Sequence, residues 1–440
     1  MNSKDIIKIV LELYPFAYSV VSSENDRALV KFLEQLNFEI VNIPSGTEYN
    51  GWVVPNEWKT ICAKIFKNEE LIFDAMSNPL GVGILSPSYN GNISLAELKN
   101  HLYFSAESSE ATPYHWTNLY RPGEKDWAFC VTKSFFDGLT EGDYRVELKT
   151  VEKPSMMRVL DFILKGNSTE TILINAHNCH PWQANDDISG CAVGIAVMQT
   201  LQARDFRRYT YRLVIAPELI GTVHWLSGID PTDNQFSGAI MLKSVGSSGN
   251  LKLQHSFDAN SQLDKAAICV LKSRNSNFIS GSFRSIYGND ETVFDSPGYE
   301  IPSISLTRFP FEGYHTDADT PSRLSNSSLV ETYDVLLEII DALERSETLT
   351  YATRGLVSLS NPRYSLYRAA PAPGIDKVDY LDIYRKWNLL MNCLPRELNG
   401  RSSSIDLALK YELPVLDVCD YLKKWLEKEL ATVVIKGKEK

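Results

Sequence analysis

The spacing of apolar residues opens the chain with two amphipathic helices. One runs from Ile6 to Leu13, and the second runs from Glu24 to Leu36 with Leu29, Phe32, Leu33 and Leu36 on a common face. A strand over Phe38 to Ile43 follows, and Pro44-Ser45-Gly46 punctuates it. From about Thr47 to Tyr120 the chain turns rich in Trp, Tyr, Asn, Ser and Gly, with short apolar runs such as Trp52-Val53-Val54 and Leu71-Ile72-Phe73, which predicts a small β-rich insertion. Strands over Tyr144 to Thr150 and Met157 to Leu164 would add a sheet edge or hairpin. Beyond Thr171 strands and helices alternate: a buried strand ending near His177, a helix over Ser189 to Ala203, and strands over Tyr211 to Ala216, Ala239 to Lys243 and Ile301 to Leu306. That alternation predicts an α/β fold with a mostly parallel, mixed sheet covered by helices on both faces. Such sheets bind ligands beyond the carboxyl ends of their strands.

A long helix is expected over Asn326 to Leu343, burying Leu329, Tyr333, Leu336, Leu337 and Ile340. The proline- and serine-rich stretch Ser358 to Gly374 reads as a linker. Helices over Tyr380 to Leu390, Ser404 to Lys410 and Val415 to Leu430, then the strand-like Thr432 to Ile435, outline a winged helix. The expected organisation is residues 1–46 and 121–357 as the α/β domain, 47–120 as the insertion, and 358–440 as linker and winged helix.

Composition narrows the function. A length of 440 residues implies more than one core, and 44% hydrophobic with 22% charged residues is ordinary for a soluble protein. The net charge of -11 argues against a broad nucleic-acid or anionic-membrane surface. Seven scattered cysteines without a CxxC pair indicate neither a disulfide framework nor a Cys-type zinc site, so a reducing cytoplasm is expected. No run of about 18 apolar residues occurs, and no signal peptide or membrane span is expected.

The chemistry concentrates in residues 171–190, TILINAHNCHPWQANDDISG, where a β-branched run breaks into His177, Cys179, His180, Asp186 and Asp187. Strand-end loops hold ligands rigidly enough for their lone pairs to converge on a metal. The bland alternative is a polar turn with Asp187 capping the next helix. A second cluster, residues 313–321, places His315 near Asp319, a carboxylate that could orient the imidazole. A third places Glu218 at the end of an apolar strand, where a glutamate suits a general base, although a solvated side chain is the simpler reading. Cys179 and Ser189 as nucleophiles lack a GxSxG-type elbow.

Together the segments AHNCHPWQANDDISG, PELIGT, GNDETVFDSPGYEIPSIS and YHTDADTPSRL resemble, in order and spacing, the zinc aminopeptidase clan that also holds the glutaminyl cyclases. Within it the chain is similar to a bacterial aminopeptidase-like family of unsettled function, with an inserted β-rich domain and a carboxyl-terminal winged helix. The resemblance implies a phosphorylase/hydrolase-like aminopeptidase core. It puts Asp186 at the carboxylate that bridges two metals in the clan's enzymes and His315 at the terminal histidine ligand, with Asp319 behind it. It aligns His177 most naturally with the first ligand, while the CHP segment makes His180 equally eligible, and it gives Asp187 and Asp290 as supporting carboxylates and Glu218 as base or ligand.

Departures from the clan's pattern reduce the expected metal content. Cys179 stands where a His-x-Asp is usual, Pro217-Glu218 replaces paired glutamates, and Lys243 replaces the aspartate that holds the second ion. An ammonium there would repel a divalent ion, so one zinc is expected. The resulting expectation is a zinc-dependent hydrolase of a peptide or small amide. The alternatives are a non-catalytic binder of a small amide, amino acid or sugar derivative, and a winged-helix DNA-binding regulator. The acidic Val415–Lys424 segment equips the last poorly. A homo-oligomer stays open.

Overall fold

The computed structural model describes residues 4–230, 235–275, 277–368 and 378–434. They divide into two compact units, Met1–Lys252 with Arg284–Tyr333, and Leu253–Phe283 with Asp334–Lys440. The expected linker falls partly, and the strand-like Ile435 wholly, outside the described residues.

The first unit opens with helices α1 (Lys4–Leu13) and α2 (Ser23–Gln35). In α2 the buried stripe is Asn25, Ala28 and Phe32, while Leu33 is 43% exposed. Asn25 takes an inward position because its amide donates to the Ser19 carbonyl and its oxygen accepts the Ser19 and Ser22 protons, so burial leaves no polar group unmet.

Six strands of the main sheet lie wholly in the first unit: β1 (Glu39–Pro44), β6 (Met156–Leu164), β7 (Glu170–His177), β8 (Thr210–Ala216), β9 (Gln235–Lys243) and β10 (Ser303–Thr307). They lie in the order β1-β6-β8-β7-β9-β10, with β8, β7, β9 and β10 parallel, β6 antiparallel to β8, and β1 antiparallel to β6. The mixed α/β architecture matches expectation. The four parallel strands are buried almost throughout, as a sheet covered on both faces requires.

Helix α3 (Ser189–Gln202) packs on this sheet, and its small residues allow the close approach. A Cβ at Gly190 would come within 2.6 Å of the Leu242 carbonyl oxygen and 2.5 Å of the Asp187 carboxylate, so only glycine fits. Helix α4 (Ile220–Ser227), which periodicity did not reveal, follows β8.

A smaller antiparallel sheet joins β2 (Glu57–Lys67), β3 (Glu70–Asp74), β4 (Tyr89–Ile93) and β5 (Tyr144–Lys153) in the order β3-β2-β5-β4. Its fourth strand comes from beyond the boundary expected at residue 120. The alternating Tyr144, Val146 and Leu148 of β5 complete a core with Ala63, Ile65, Trp127 and Phe129 that residues 47–120 alone could not close.

The second unit holds a helix over Gln262–Arg274, whose start is fixed by a reciprocal capping box between Ser261 and Asp264. Helices over Val378–Glu397, Ser404–Tyr411 and Val415–Glu427 accompany a three-stranded antiparallel sheet with Thr348–Tyr351 between Asn399–Ser403 and Ala431–Val433. The terminal strand thus pairs with Thr348–Tyr351. Among the described residues no helix is long and apolar enough to cross a membrane, and all seven cysteines are free.

Candidate metal centre

The carboxyl ends of the four parallel strands deliver the site. β7 ends at His177 and runs through His180 into an irregular turn, Ala184–Ile188, that carries Asp186 and Asp187 joined by a cis peptide bond. Beyond β8 comes Glu218, β9 ends at Lys243, and the loop after β10 brings His315.

Asp186 lies at the centre and is fully buried. Its Oδ2 faces His315 Nε2 at 3.2 Å and His180 Nε2 at 3.6 Å, while its Oδ1 faces His177 Nε2 at 3.2 Å and the Lys243 ammonium. Burial by itself would raise the Asp186 pKa, but Lys243 and the three histidines outweigh it and hold the carboxyl well below the usual range. Burial would likewise lower Lys243, and Asp186 followed by Glu218 holds it well above the ordinary lysine value.

The three histidines differ in what occupies their lone pairs. His180 Nδ1 lies 2.8 Å from the Pro181 carbonyl oxygen, which accepts only from an N–H, so in the neutral ring the lone pair is on Nε2. That Nε2 and Asp186 Oδ2 are buried without a hydrogen-bond partner. The His177 Nε2 instead contacts Lys243 Nζ, and its Nδ1 lies 3.4 Å from Cys179 Sγ. Burial and then Lys243 lower its pKa, and because an ammonium only donates, Nε2 is the acceptor of the Lys243 hydrogen bond. Two groups of ligand atoms therefore stand side by side, His180, Asp186 and His315 in one and His177, Cys179 and Glu218 in the other, each within 4.8 Å internally.

Supporting carboxylates fix the loops. Asp187 accepts from the backbone N–H groups of Gly190 (3.2 Å), Ser244 (3.0 Å) and His177 (3.4 Å), tying the turn to α3 and β9. Asp319 accepts from the Asn185 and Asp186 amides at 2.8 and 2.9 Å, and burial pushes its pKa up to about 8. The expectation that Asp319 orients His315 therefore differs from the structure, where this carboxyl braces the Asp186 turn. Asp290 accepts from the Leu219 amide (2.6 Å) and the Thr222 hydroxyl (2.9 Å), and so holds the turn carrying Glu218. Burial, then Glu218, raises its pKa to about 7.

A cavity of about 390 Å³ opens onto the cluster, with Tyr114, Tyr120, His180, Glu218, Tyr314 and His315 among its walls. Tyr114 stacks on His180 at 4.5 Å between ring centroids, and Tyr314 on His315 at 3.9 Å.

Residues 7–346 match the family described as Domain of unknown function (DUF4910). The chain belongs to that family. A Clostridium acetobutylicum protein, provisionally named a polysaccharide biosynthesis protein with an aminopeptidase-like domain, is 28% identical over 347 residues, which is 78% of this chain and 79% of its own. The crystal structure of a provisionally named peptidase from Clostridium acetobutylicum superposes with a TM-score of 0.80 at 25% identity, over 98% of this chain and 96% of that one. A zinc aminopeptidase from Bacillus subtilis superposes with a TM-score of 0.60 at 13% identity, over 77% of this chain and 94% of that one. This DUF4910 chain thus carries the aminopeptidase fold.

Some site residues of this DUF4910 member had no signal in the sequence. Tyr114 lies in the β-rich segment, and its amide donates to the His315 carbonyl at 2.7 Å. Asp317 accepts from the Thr112 amide (3.0 Å) and the Asn78 side chain (2.6 Å), which latches the His315 loop to that segment. Replacing Asp317 by alanine removes both bonds and is expected to cost ~1–3 kcal/mol. Urea unfolding would show this as a lower midpoint at unchanged slope.

Proposed function

We propose that the chain is a one-zinc hydrolase of the aminopeptidase type that cleaves a peptide or other small amide. The observation that carries the reading is the convergence of one ligand atom each from His180, Asp186 and His315, all within 4.8 Å of one another at the mouth of the cavity. His180, Asp186 and His315 would hold the ion, which matches the three-ligand sets of catalytic zinc sites. A zinc ion there supplies a Lewis acid for the substrate carbonyl and a water of lowered pKa.

The chain's own groups do the rest. Lys243 binds the other oxygen of Asp186 and fixes which face of the carboxylate is presented. His177, engaged by Lys243, supports that lysine, which favours His180 as the first ligand. Glu218, on the wall of the same cavity, takes the proton of the attacking water and returns it to the departing amine. Asp290 keeps the Glu218 turn in place, and the rings of Tyr114 and Tyr314 exclude water from the histidines. The Lys243 ammonium supports a single ion, because a second divalent charge beside it would be repelled.

Metal analysis tests this reading together with a panel of aminoacyl anilides and dipeptides under added zinc, cobalt or manganese. The expected result is about one zinc per chain with turnover that depends on Glu218. Zinc near zero after gentle purification, with none regained on dialysis, would sink it. Bound zinc without turnover of any substrate would instead support a chain that holds a small amide without cleaving it.

A further inference from the structure

We infer that the chain carries a second small-molecule site, apart from the metal centre, built for a free α-amino acid with an apolar side chain. The site lies wholly in the first unit and shares no wall residue with the cavity over the metal centre. It does not rest on the hydrolase reading.

The site is a cavity of about 370 Å³, within the size range of small-ligand pockets. Its walls include Asn185 in the turn that carries Asp186, Ser247 in the loop after β9, Pro310, Phe311 and Glu312 in the loop after β10, and Arg323 in the short turn Pro321–Arg323. Asn185 is 2% exposed. Its Oδ1 accepts from the Gly246 amide at 2.7 Å, which fixes the orientation of the side-chain amide and leaves Nδ2 at the wall without a partner. The Ser247 hydroxyl is likewise buried and unpartnered among the described residues. Buried donors left unmet are costly, so a wall that holds two of them calls for a ligand that accepts. The Asp319 carboxyl, also on the wall, is already used by the Asn185 and Asp186 amides.

Charge selects among the acceptors. Arg323 and Glu312 pair at 3.1 Å with side chains 44% and 87% exposed, so their own pairing is worth little and opens readily. A lone anion would meet Glu312 as well as Arg323. A lone cation would leave Arg323, Asn185 and Ser247 without an acceptor. An α-amino acid holds its carboxylate and ammonium on one carbon, adjacent to each other as Arg323 and Glu312 are. Its carboxylate takes the guanidinium fork together with Asn185 Nδ2 and Ser247 Oγ, and its ammonium takes Glu312. Pro310 and Phe311 supply apolar surface for its side chain.

Calorimetric titration of the full chain with L-leucine, its methyl ester and its N-acetyl derivative tests the assignment. Leucine is expected to bind, and the ester, which lacks the carboxylate, and the acetyl compound, which lacks the ammonium, should each bind at least about tenfold more weakly. Arg323→Gln and Glu312→Gln, both at exposed positions, should each weaken leucine by about tenfold, and Ser247→Leu, which fills the cavity, should abolish its binding. No heat up to ~10 mM leucine, or equal binding of the ester or the acetyl compound, overturns the inference. Binding that His315→Ala removes and Arg323→Gln spares would place leucine over the metal centre and overturns it as well. Weakening by Arg323→Gln alone, with acetate bound as tightly as leucine, would show a simple anion site, which also overturns it.

Discussion

Replacing Asp186 by alanine in chelator-stripped protein is expected to lower stability by about 3–5 kcal/mol, the range for removing one partner of a buried ion pair. Lys243 is fully buried, and its counter-charge at contact distance is Asp186, with Glu218 farther off at 3.9 Å. Removal of Asp186 leaves an ammonium in the interior that must either stay charged without its pair or lose its proton. Lys243→Met alone should cost a similar amount, because it strands the carboxylate instead. Asp186→Leu combined with Lys243→Met should recover most of either loss, since a packed apolar pair often replaces a buried ion pair at little cost. Urea midpoints of the two single variants and the double variant supply the cycle. A single-variant cost below about 1 kcal/mol would show that the pair is solvated and the account wrong.

Glu218→Gln is expected to reduce kcat by about 10²–10⁴-fold, the usual contribution of a positioned general base. Glutamine keeps the shape but cannot take a proton from water. Zinc content should stay unchanged, and KM should change little, because the missing interaction belongs to the transition state. If zinc is lost along with activity, Glu218 is a ligand and the assignment of base falls. Glu218→Asp should retain part of the activity, since the carboxylate stays but is withdrawn by one methylene.

Much of the main sheet was legible because its strands are buried on both faces and read as unbroken apolar runs. The site was legible where chemistry was crowded, in residues 171–190 and 313–321, whose ligand candidates the fold brings together. The difference between His177 and His180 was not legible: the resemblance placed Lys243 in the site, but its contact with His177 Nε2 follows from the pairing of β7 with β9. Asp319 was placed behind His315 by nearness in sequence, whereas its carboxyl is used by backbone amides of a turn distant along the chain. In α2 the apolar count favoured Leu33 over Asn25, because periodicity cannot see that a local turn satisfies the asparagine. The helix over Gln262–Arg274 did have a signal, Ser261 followed by Asp264, but its modest apolar stripe hid it.

The latch at Asp317 bears on how this chain could be re-engineered. The segment that supplies Tyr114, a wall of the cavity, also holds the loop that carries His315, through Thr112, Asn78 and the Tyr114 amide. Grafting that segment from a relative to alter substrate choice would exchange the anchor of the proposed ligand His315 at the same time. A transplant with matching cavity residues but no latch should therefore lose metal affinity before it changes selectivity, and the workable unit of exchange is the segment together with the His315 loop.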